Sequence, residues 1–257
     1  MTSIRRINGP GLMVAALLLV LWQALIGSGL ATIEYLPAPA SIARAIWSLA
    51  AQGQIFPELA HTLGVALLAW AIAAVIGLSL GLLLGCSPFA WRHTMASIEL
   101  LRSMPSVAFV PVSLLLFGFS VKMELALAVY IAQWLILVNT VDGVRGVTPQ
   151  LLEVARMLRM SRLERTVKIV LPAAMPVMLV GLRLGLTVSL VMAVVSEMIC
   201  NPAGLGYQLV FEQRALQTDR MFAYLAVIGA LGILLNAALL LVARLIPGVE
   251  RRGGLAA

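Results

Sequence analysis

Long apolar stretches alternate with short polar stretches along the chain. A membrane-spanning helix needs about 20 consecutive, mostly apolar residues. Six stretches reach or approach that length, and they cover about residues 10–33, 63–86, 103–121, 125–141, 173–196 and 221–243. This pattern predicts an all-α, polytopic membrane protein with six transmembrane helices, which form one transmembrane domain over residues 10–245.

The composition indicates that lipid is the main solvent of this chain. Of its 257 residues, 61% are hydrophobic and 11% are charged, whereas soluble domains carry about 25% charged residues. So many apolar side chains exceed what the core of one soluble domain of this size can bury. The net charge of +7 does not indicate nucleic-acid binding, because the basic residues lie in short clusters between apolar stretches.

The first apolar stretch follows Arg5 and Arg6, so it is compatible with a cleaved signal peptide or with a retained helix. The apolar region of a signal peptide is only about 7–15 residues long. The stretch in this chain is long enough to span a membrane, so we expect it to be retained.

The distribution of basic residues predicts the orientation in the membrane. Cytoplasmic connections carry more lysine and arginine than outer connections. With the N-terminus in the cytoplasm, the cytoplasmic side holds Arg5, Arg6, Arg92, Arg145, Arg156, Arg159, Arg162, Arg165, Lys168, Arg244, Arg251 and Arg252. The outer side holds only Arg44, Lys122, Arg214 and Arg220. We therefore expect residues 1–9 and the tail 246–257 to be cytoplasmic, in a bacterial inner membrane.

Residue types that ligate metals or catalyse reactions are sparse and scattered. Cys86 and Cys200 are far apart, so neither a disulfide framework nor a zinc site is predicted. His61 and His93 have no partner at ligand spacing, and we expect both to be isolated residues at the surface or at helix ends. No set of residues typical of catalysis is evident, so no catalytic, cofactor-binding or metal-binding residue is predicted.

Glycines recur at four-residue spacing in two of the apolar stretches. Gly77, Gly81 and Gly85 form one series, and Gly181 with Gly185 forms another. This spacing places the glycines on one face of a helix, where helix backbones can approach closely. Close helix packing is therefore predicted at both places, without identifying the partner helices.

The cytoplasmic connection over residues 143–172 has a helical pattern of its own. Thr148-Pro149 is a good helix start, and apolar residues follow at helical spacing. Ser161 and Glu164 form a capping box that begins a second helix, and Pro172 is expected to end it. This basic, amphipathic helix-turn-helix is too structured for a plain connection and too short for a domain, so we expect a docking element.

At this connection the sequence resembles the permease subunits of ABC importers. Their Glu-Ala-Ala motif corresponds to Glu153-Val154-Ala155, and their later apolar-Leu-Pro motif corresponds to Val170-Leu171-Pro172. The resemblance implies contact with a separate ATPase, and the residues assigned to that coupling are Glu153, Ala155, Arg156, Arg159, Ser161, Arg162, Leu171 and Pro172.

Arg159 departs from the family pattern, which has glycine at the turn between the two short helices. Either the turn shifts so that Arg159 stays helical, or Arg159 adopts a left-handed conformation. The left-handed conformation costs an L-residue on the order of 1 kcal/mol. Because the capping box fixes the start of the second helix, we favour the strained turn with Arg159 pointing at the ATPase.

Further motifs resemble the nitrate/sulfonate/taurine type of permease over about residues 36–245. They are Leu36-Pro37-Ala38-Pro39, His61-Thr62-Leu63, Arg102-Ser103-Met104-Pro105 with Pro111, Phe117-Gly118, Gly181-Leu182-Arg183, Ser196-Glu197-Met198 and Gly204-Leu205-Gly206-Tyr207. The resemblance implies the type I importer fold and import of a small solute. An anion such as a sulfonate, taurine or nitrate is favoured, and a heterocyclic vitamin precursor is the alternative.

Several polar or helix-breaking residues within the apolar stretches are candidates for the translocation pathway or its gate. They are Arg102, Met104, Pro105, Arg183, Glu197, Gly204, Gly206 and Tyr207. Breaks in a membrane helix are tolerated where it faces protein or a water-filled cavity. Glu197 has two other possible roles, since it could hold the 204–207 loop in place or reach the outer interface. Arg183 could instead extend to the cytoplasmic surface.

The chain lacks a phosphate-binding loop of the form G-x-x-x-x-G-K-[ST]. It is therefore not expected to be an ATPase or to bind a cofactor, and ATP and Mg²⁺ would be held by a partner subunit. The resemblance implies a second permease copy, two ABC ATPase subunits, an external solute-binding protein and membrane lipid as partners. The chain could instead be a stand-alone carrier or channel, or a membrane anchor for an enzyme. The helix-turn-helix argues against both alternatives.

Overall fold

The structure is a computed structural model that describes residues 9–27 and 35–244, and these residues contain helices and no strands. Five helical segments are long and apolar enough to cross a membrane. They are α1 (Gly9–Gly27), α3 (Ile55–Cys86), α6 (Val121–Arg145), the segment Arg162–Cys200 that ends in α9 (Leu171–Cys200), and α11 (Thr218–Arg244). The predicted ends at residues 1–8 and 245–257, and residues 28–34, lie outside the described part.

The sixth span is broken rather than continuous. It consists of α4 (Pro88–Ser103), a 3₁₀ turn (Ser106–Phe109) and α5 (Val110–Phe117), and its two halves are bent by 80°. Met104 and Pro105 at the break have extended backbones, because a residue before proline is disfavoured in the helical conformation. The described residues therefore contain five spans, or six if this bent pair counts as one span, and the pair begins at Pro88 and not near residue 103, where the apolar pattern alone places it.

Shorter helices connect the spans at both ends of the bundle. At one end α2 (Pro39–Ala51) and α10 (Leu205–Arg214) precede α3 and α11. At the other end α7 (Pro149–Met157) and α8 (Arg162–Arg165) join α6 to α9. Because successive spans run in alternating directions, α3, α6 and α11 begin on the side of the bundle where α9 ends.

The glycine series identify the closest helix contacts in the bundle. A Cβ atom added at Gly77, Gly81 or Gly85 of α3 would lie 2.6–2.8 Å from the Cβ atom of Ile136, Thr140 or Val144 on α6, respectively. Gly181 and Gly185 of α9 pack in the same way against Asn139 and Ile136 of α6. The predicted close packing is confirmed, and α6 is the partner of both α3 and α9.

The helix-turn-helix forms between α6 and α9 with the predicted start signals. Pro149 is the first residue of α7, and α8 begins after Ser161. Both bonds of the capping box are present: the Ser161 N–H donates to Glu164 Oε2 at 3.0 Å, and the Glu164 N–H donates to Ser161 Oγ at 3.2 Å. Arg159 lies in the turn with φ at 51°, so the strained conformation is confirmed and the shifted, helical alternative is wrong.

The prediction that Pro172 ends the second short helix is wrong. The helix continues from Arg162 through Pro172 to Cys200. A proline inside a helix has no N–H to donate and clashes with the preceding turn. Here a π-helical turn over Thr166–Val170 precedes the proline, and the Leu171 N–H donates to the Thr166 carbonyl five residues back. This wider turn lets the backbone pass Pro172 without ending the helix.

Candidate functional site

The helix-turn-helix exposes most of the residues that the sequence assigned to ATPase coupling. Glu153, Arg156, Arg159, Ser161 and Arg162 are all exposed. We call the exposed side of residues 149–165 the coupling surface. Because its charged groups are mostly basic, this surface is suited to an acidic or mixed-charge partner.

Two of the assigned residues anchor the helix-turn-helix instead of facing outward. Ala155 is 1% exposed. Leu171 packs in an apolar cluster with Val144, Val170 and Met178, which joins α6 to α9. Pro172 is exposed but lies beyond α8, at the start of α9. Leu151 and Leu152 of α7 pack against the same cluster, so the apolar side of the element contacts the spans α6 and α9.

The coupling surface also contains apolar side chains that the sequence reasoning missed. Met157, Leu158 and Leu163 are 75%, 67% and 74% exposed. They flank the strained turn and leave a large apolar area uncovered in the single chain. An exposed apolar patch rimmed by charged groups is typical of a protein interface. Leu158 follows Ala155 at helical spacing, so the sequence pattern predicts it on the apolar side of the first helix, but the structure leaves it uncovered.

The break between α4 and α5 borders a cavity of about 410 Å³. Its lining includes Arg102 and Met104, two of the predicted pathway residues, together with Glu99, Tyr130 and Trp134. Tyr130 and Trp134 lie in the middle of α6, so the cavity lies at mid-depth of the bundle. Pro105, adjacent to it, is exposed.

The cavity contains opposite charges one helical turn apart. Glu99 and Arg102 are both exposed on α4, and charged side chains within a membrane span usually face a cavity or another protein group. Tyr130 closes one wall, because its hydroxyl donates to the Leu101 carbonyl at 2.8 Å. The sequence reasoning missed Glu99, because the charges of α4 excluded this helix from the apolar pattern.

Glu197 is buried near the C-terminal end of α9 and holds the following loop. Its side chain is 1% exposed, and its Oε2 accepts a bond from the Gly206 N–H at 2.8 Å. The Gly204 N–H donates to Glu58 Oε2 at 2.6 Å. A Cβ at Gly204, whose φ is 92°, would overlap the Glu197 carboxyl group, and one at Gly206 would overlap the Val194 carbonyl. Glu197 therefore does not reach the outer interface, and both glycines are required for this close approach.

Tyr207 lies next to the same loop, on the wall of a second cavity. The cavity has a volume of about 450 Å³, and its lining also includes Glu197, Asn201 and Arg214. The Tyr207 ring stacks on Phe211, with 6.1 Å between ring centres. Four of the predicted pathway residues are thus brought together around this loop: Glu197, Gly204, Gly206 and Tyr207.

The prediction that His61 is isolated is wrong. His61 Nε2 lies 3.3 Å from Glu124 Oε2, and the Asn201 amide Nδ2 lies 3.3 Å from the same nitrogen. Asn201 Nδ2 also donates to Glu124 Oε1. These groups come from the start of α3, the start of α6 and the end of α9, so no local spacing in the sequence could have shown the cluster. His93, in contrast, is exposed on α4. Its one hydrogen bond within the described residues joins Nδ1 to the Phe89 carbonyl of the same helix.

Arg183 lies on α9 at the boundary with α11, away from the other predicted pathway residues. Its Nε donates to Asn236 Oδ1 at 2.6 Å, and both side chains border an open cavity of about 470 Å³. Polar side chains that bond between membrane helices satisfy each other in an apolar environment. The structure therefore assigns Arg183 a bond to α11 in place of an extended path to the cytoplasmic surface.

Residues 73–248 match the family described as binding-protein-dependent transport system inner membrane component. The chain is 32% identical to the putative aliphatic sulfonates transport permease protein of Bacillus subtilis (strain 168), over 86% of this chain and 80% of the relative. It is 30% identical to the taurine transport system permease protein of Escherichia coli (strain K12), over 86% and 82% of the two chains. The chain belongs to this family of inner membrane permease components.

The fold agrees with solved structures of related transporters. The chain superimposes on a permease chain of the MetNI methionine ABC transporter in an inward-facing conformation with a TM-score of 0.62. The match covers 81% of this chain and 98% of the other, at 18% identity. The predicted type I importer permease fold and the resemblance to nitrate/sulfonate/taurine permeases are confirmed. The alternatives of a stand-alone carrier or channel and of an enzyme anchor are thereby set aside.

Proposed function

We propose that this chain is one of two identical permease copies in an importer that moves a small oxyanion-bearing solute, such as a sulfonate, taurine or nitrate, into the cell. Each copy binds one separate ABC ATPase subunit, which holds ATP and Mg²⁺. An external solute-binding protein delivers the solute, and both chain ends face the cytoplasm.

The observation that carries the ATPase contact is the coupling surface. It combines exposed apolar side chains with arginines beside a capped helix start, while Leu151 and Leu152 pack against the cluster that joins α6 to α9. Rotation of an ATPase bound there would be transmitted to two spans of the bundle as a rigid-body motion. The same end of the bundle carries most of the basic residues, which supports a cytoplasmic location.

Two observations support an anionic solute. Relatives are named as permeases for aliphatic sulfonates, nitrate, bicarbonate and taurine, all of which carry a negatively charged oxygen-bearing group. Arg102 lines the cavity at mid-depth of the bundle, where a guanidinium group can bind a sulfonate or carboxylate with two hydrogen bonds. Met104 and Pro105 at the break in the span give this cavity room to form.

Co-purification tests the assembly. The tagged permease, extracted in mild detergent, should bring down an ABC ATPase in equal amount, and native mass spectrometry should find two copies of each. Symmetric pairing is the commonest arrangement of oligomers. A single permease copy with a closed central channel, or solute transport by this chain alone in proteoliposomes, would contradict the proposal.

The change Arg159→Gly is expected to alter affinity for the ATPase by about 1–2 kcal/mol at most. Glycine relieves the strain of the left-handed turn, while the loss of an exposed charge weakens the contact, so the two effects oppose each other. Retention of the ATPase on the mutant permease measures the affinity change, and thermal unfolding of the permease alone measures the relief of strain.

Leu216 provides a matched control for the strain. It is the other non-glycine residue with positive φ found in the described residues, at 57°, and it lies between α10 and α11 at the opposite end of the bundle. Leu216→Gly should raise the unfolding temperature in the same way and leave ATPase retention unchanged. Complete loss of the complex in Arg159→Gly would show instead that the arginine is a principal anchor.

A further inference from the structure

Two buried carboxylates and a histidine converge at the outer ends of the three central spans. Glu124 of α6 is 0% exposed and Glu197 of α9 is 1% exposed. The His61 side chain, from the start of α3, is 22% exposed. A ring nitrogen of His61 and one carboxylate oxygen each from Glu124 and Glu197 all lie within 4.8 Å of one another.

In the described part of the chain, the cluster contains two buried carboxyl groups and a single basic partner. No ion pair found among residues 9–27 and 35–244 joins Glu124 or Glu197 to a lysine or an arginine. His61 is the only basic group paired with either carboxylate in that part of the chain, and it can neutralise one charge. A buried carboxylate is costly unless it is paired or coordinates a cation.

One oxygen atom of the cluster has no partner. Glu197 Oε2 accepts the Gly206 N–H, but Glu197 Oε1 is buried and has no hydrogen-bond partner within the described residues. Unsatisfied buried acceptors are rare in folded proteins and call for an explanation such as a bound ion. This oxygen belongs to one of the three residues that converge, so a cation bound through Oε1 would give it a partner.

We propose that His61, Glu124 and Glu197 bind a divalent transition-metal cation, with Zn²⁺ or Mn²⁺ as the best fit. An imidazole nitrogen combined with carboxylate oxygens suits these ions, and a site with three protein ligands leaves a position for water. Metal–ligand distances of 2.0–2.2 Å place tetrahedral ligands roughly 3.4 Å apart. The three side chains therefore close by about 1 Å on binding.

Asn201 is positioned to complete the site. Its amide lies against both His61 and Glu124, and rotation of the amide by half a turn presents Oδ1 in place of Nδ2. An oxygen facing the Glu124 carboxylate would be repelled unless a cation lay between them. In the metal-free cluster Nδ2 donates to Glu124 Oε1, so on metal binding Asn201 either keeps this bond, with water as the fourth ligand, or turns to supply Oδ1 in place of that water.

The cation has an entry path and would join three of the central elements at one point. The cavity of about 450 Å³ reaches Glu197 and Asn201, so an ion can arrive from that side. The three ligands come from α3, α6 and α9, and Glu197 also holds Gly206 of the loop before α10. Binding would therefore fasten the outer ends of the central spans to one another and to this loop.

Direct metal binding tests the proposal and does not depend on ATPase coupling or on the solute. The full-length permease, purified with a tag free of histidine, is stripped with chelator, placed in lipid nanodiscs and titrated with Zn²⁺ and with Mn²⁺. We expect one ion per chain by elemental analysis and a rise in unfolding temperature. His61→Ala and Glu197→Gln should weaken binding at least about tenfold, since even loss of a residue that supports a ligand costs 10–100-fold.

His93→Ala is the matched control, because the chain has only two histidines and His93 lies outside the cluster; it should bind metal like the unmodified chain. Two outcomes would overturn the proposal. One is failure of the unmodified chain to retain either ion with no shift in its unfolding temperature. The other is retention of the ion by the His61→Ala and Glu197→Gln chains with the affinity of the unmodified chain, which would place the metal outside this cluster.

Discussion

Replacing Gly81 by valine is expected to prevent stable packing of α3 on α6. A Cβ at this position would lie 2.6 Å from Thr140 Cβ and 2.9 Å from the Leu137 carbonyl oxygen, and valine adds two further carbons. Extra carbons in a well-packed core typically cost 1–3 kcal/mol, and here the backbone of α6 must also move. We expect a loss of about 3 kcal/mol or more, measured as a lower unfolding temperature and aggregation in detergent.

Gly64 on the same helix provides the control. A Cβ there would meet nothing within 4 Å, so Gly64→Val should leave the unfolding temperature nearly unchanged or raise it, because glycine is a poor helix former. Thr140→Gly should recover part of the stability lost in Gly81→Ala, since it removes two of the three close contacts. Equal effects at Gly64 and Gly81 would mean that the α3–α6 contact is looser than the structure shows.

The number of spans was predictable because lipid imposes a strong constraint on composition. Five spans are long apolar runs, and a run of that length has few other uses in a chain of this size. The third span was misplaced because α4 carries Arg92, Glu99 and Arg102, which interrupt the apolar pattern. These side chains are exposed in the single chain, and hydropathy alone cannot tell a cavity-facing polar residue from the end of a span.

The helix-turn-helix was predictable because its signals are local. The capping box at Ser161 and Glu164 fixes the start of α8, and this leaves the turn only Arg159 and Met160 to adjust. The role of Pro172 was not predictable, because no local signal in the sequence marks the π-helical turn over Thr166–Val170 that accommodates it. A local rule for proline therefore gave the wrong helix end.

The polar cluster around His61 could not be predicted from spacing. His61 and Glu124 are 63 positions apart in the chain, and Glu197 lies on a third helix. Only the packing of α3, α6 and α9 brings them together. The glycine series foretold close packing, but glycine spacing does not say which helix is the partner or which polar groups meet beyond the contact.

Glu153→Arg is expected to abolish the ATP hydrolysis that solute and binding protein stimulate, while the permease still inserts into the membrane. Glu153 is exposed on α7 among basic residues, and the other acidic residue of the coupling surface, Glu164, is held in the capping box and by Lys168 at 3.5 Å. The change makes the unpaired charges of this surface entirely basic. Stimulated hydrolysis by the reconstituted complex should fall to the unstimulated rate.

The loss could come from a less favourable interaction with the helix dipole or from a lost contact with the ATPase. The position of Glu153 distinguishes these two explanations. It is the fifth residue of α7, and no acidic residue lies in the first turn. The favourable effect of an acid on the helix dipole is confined to that first turn, so the loss must come from contact with the partner. Gln150→Arg, which adds a positive charge at an exposed position of the first turn, tests the dipole alone and should reduce helix stability by under about 1 kcal/mol with hydrolysis maintained. If the Glu153→Arg complex transports normally, Glu153 makes no part of the coupling contact, and the exposed apolar side chains at Met157, Leu158 and Leu163 carry the docking.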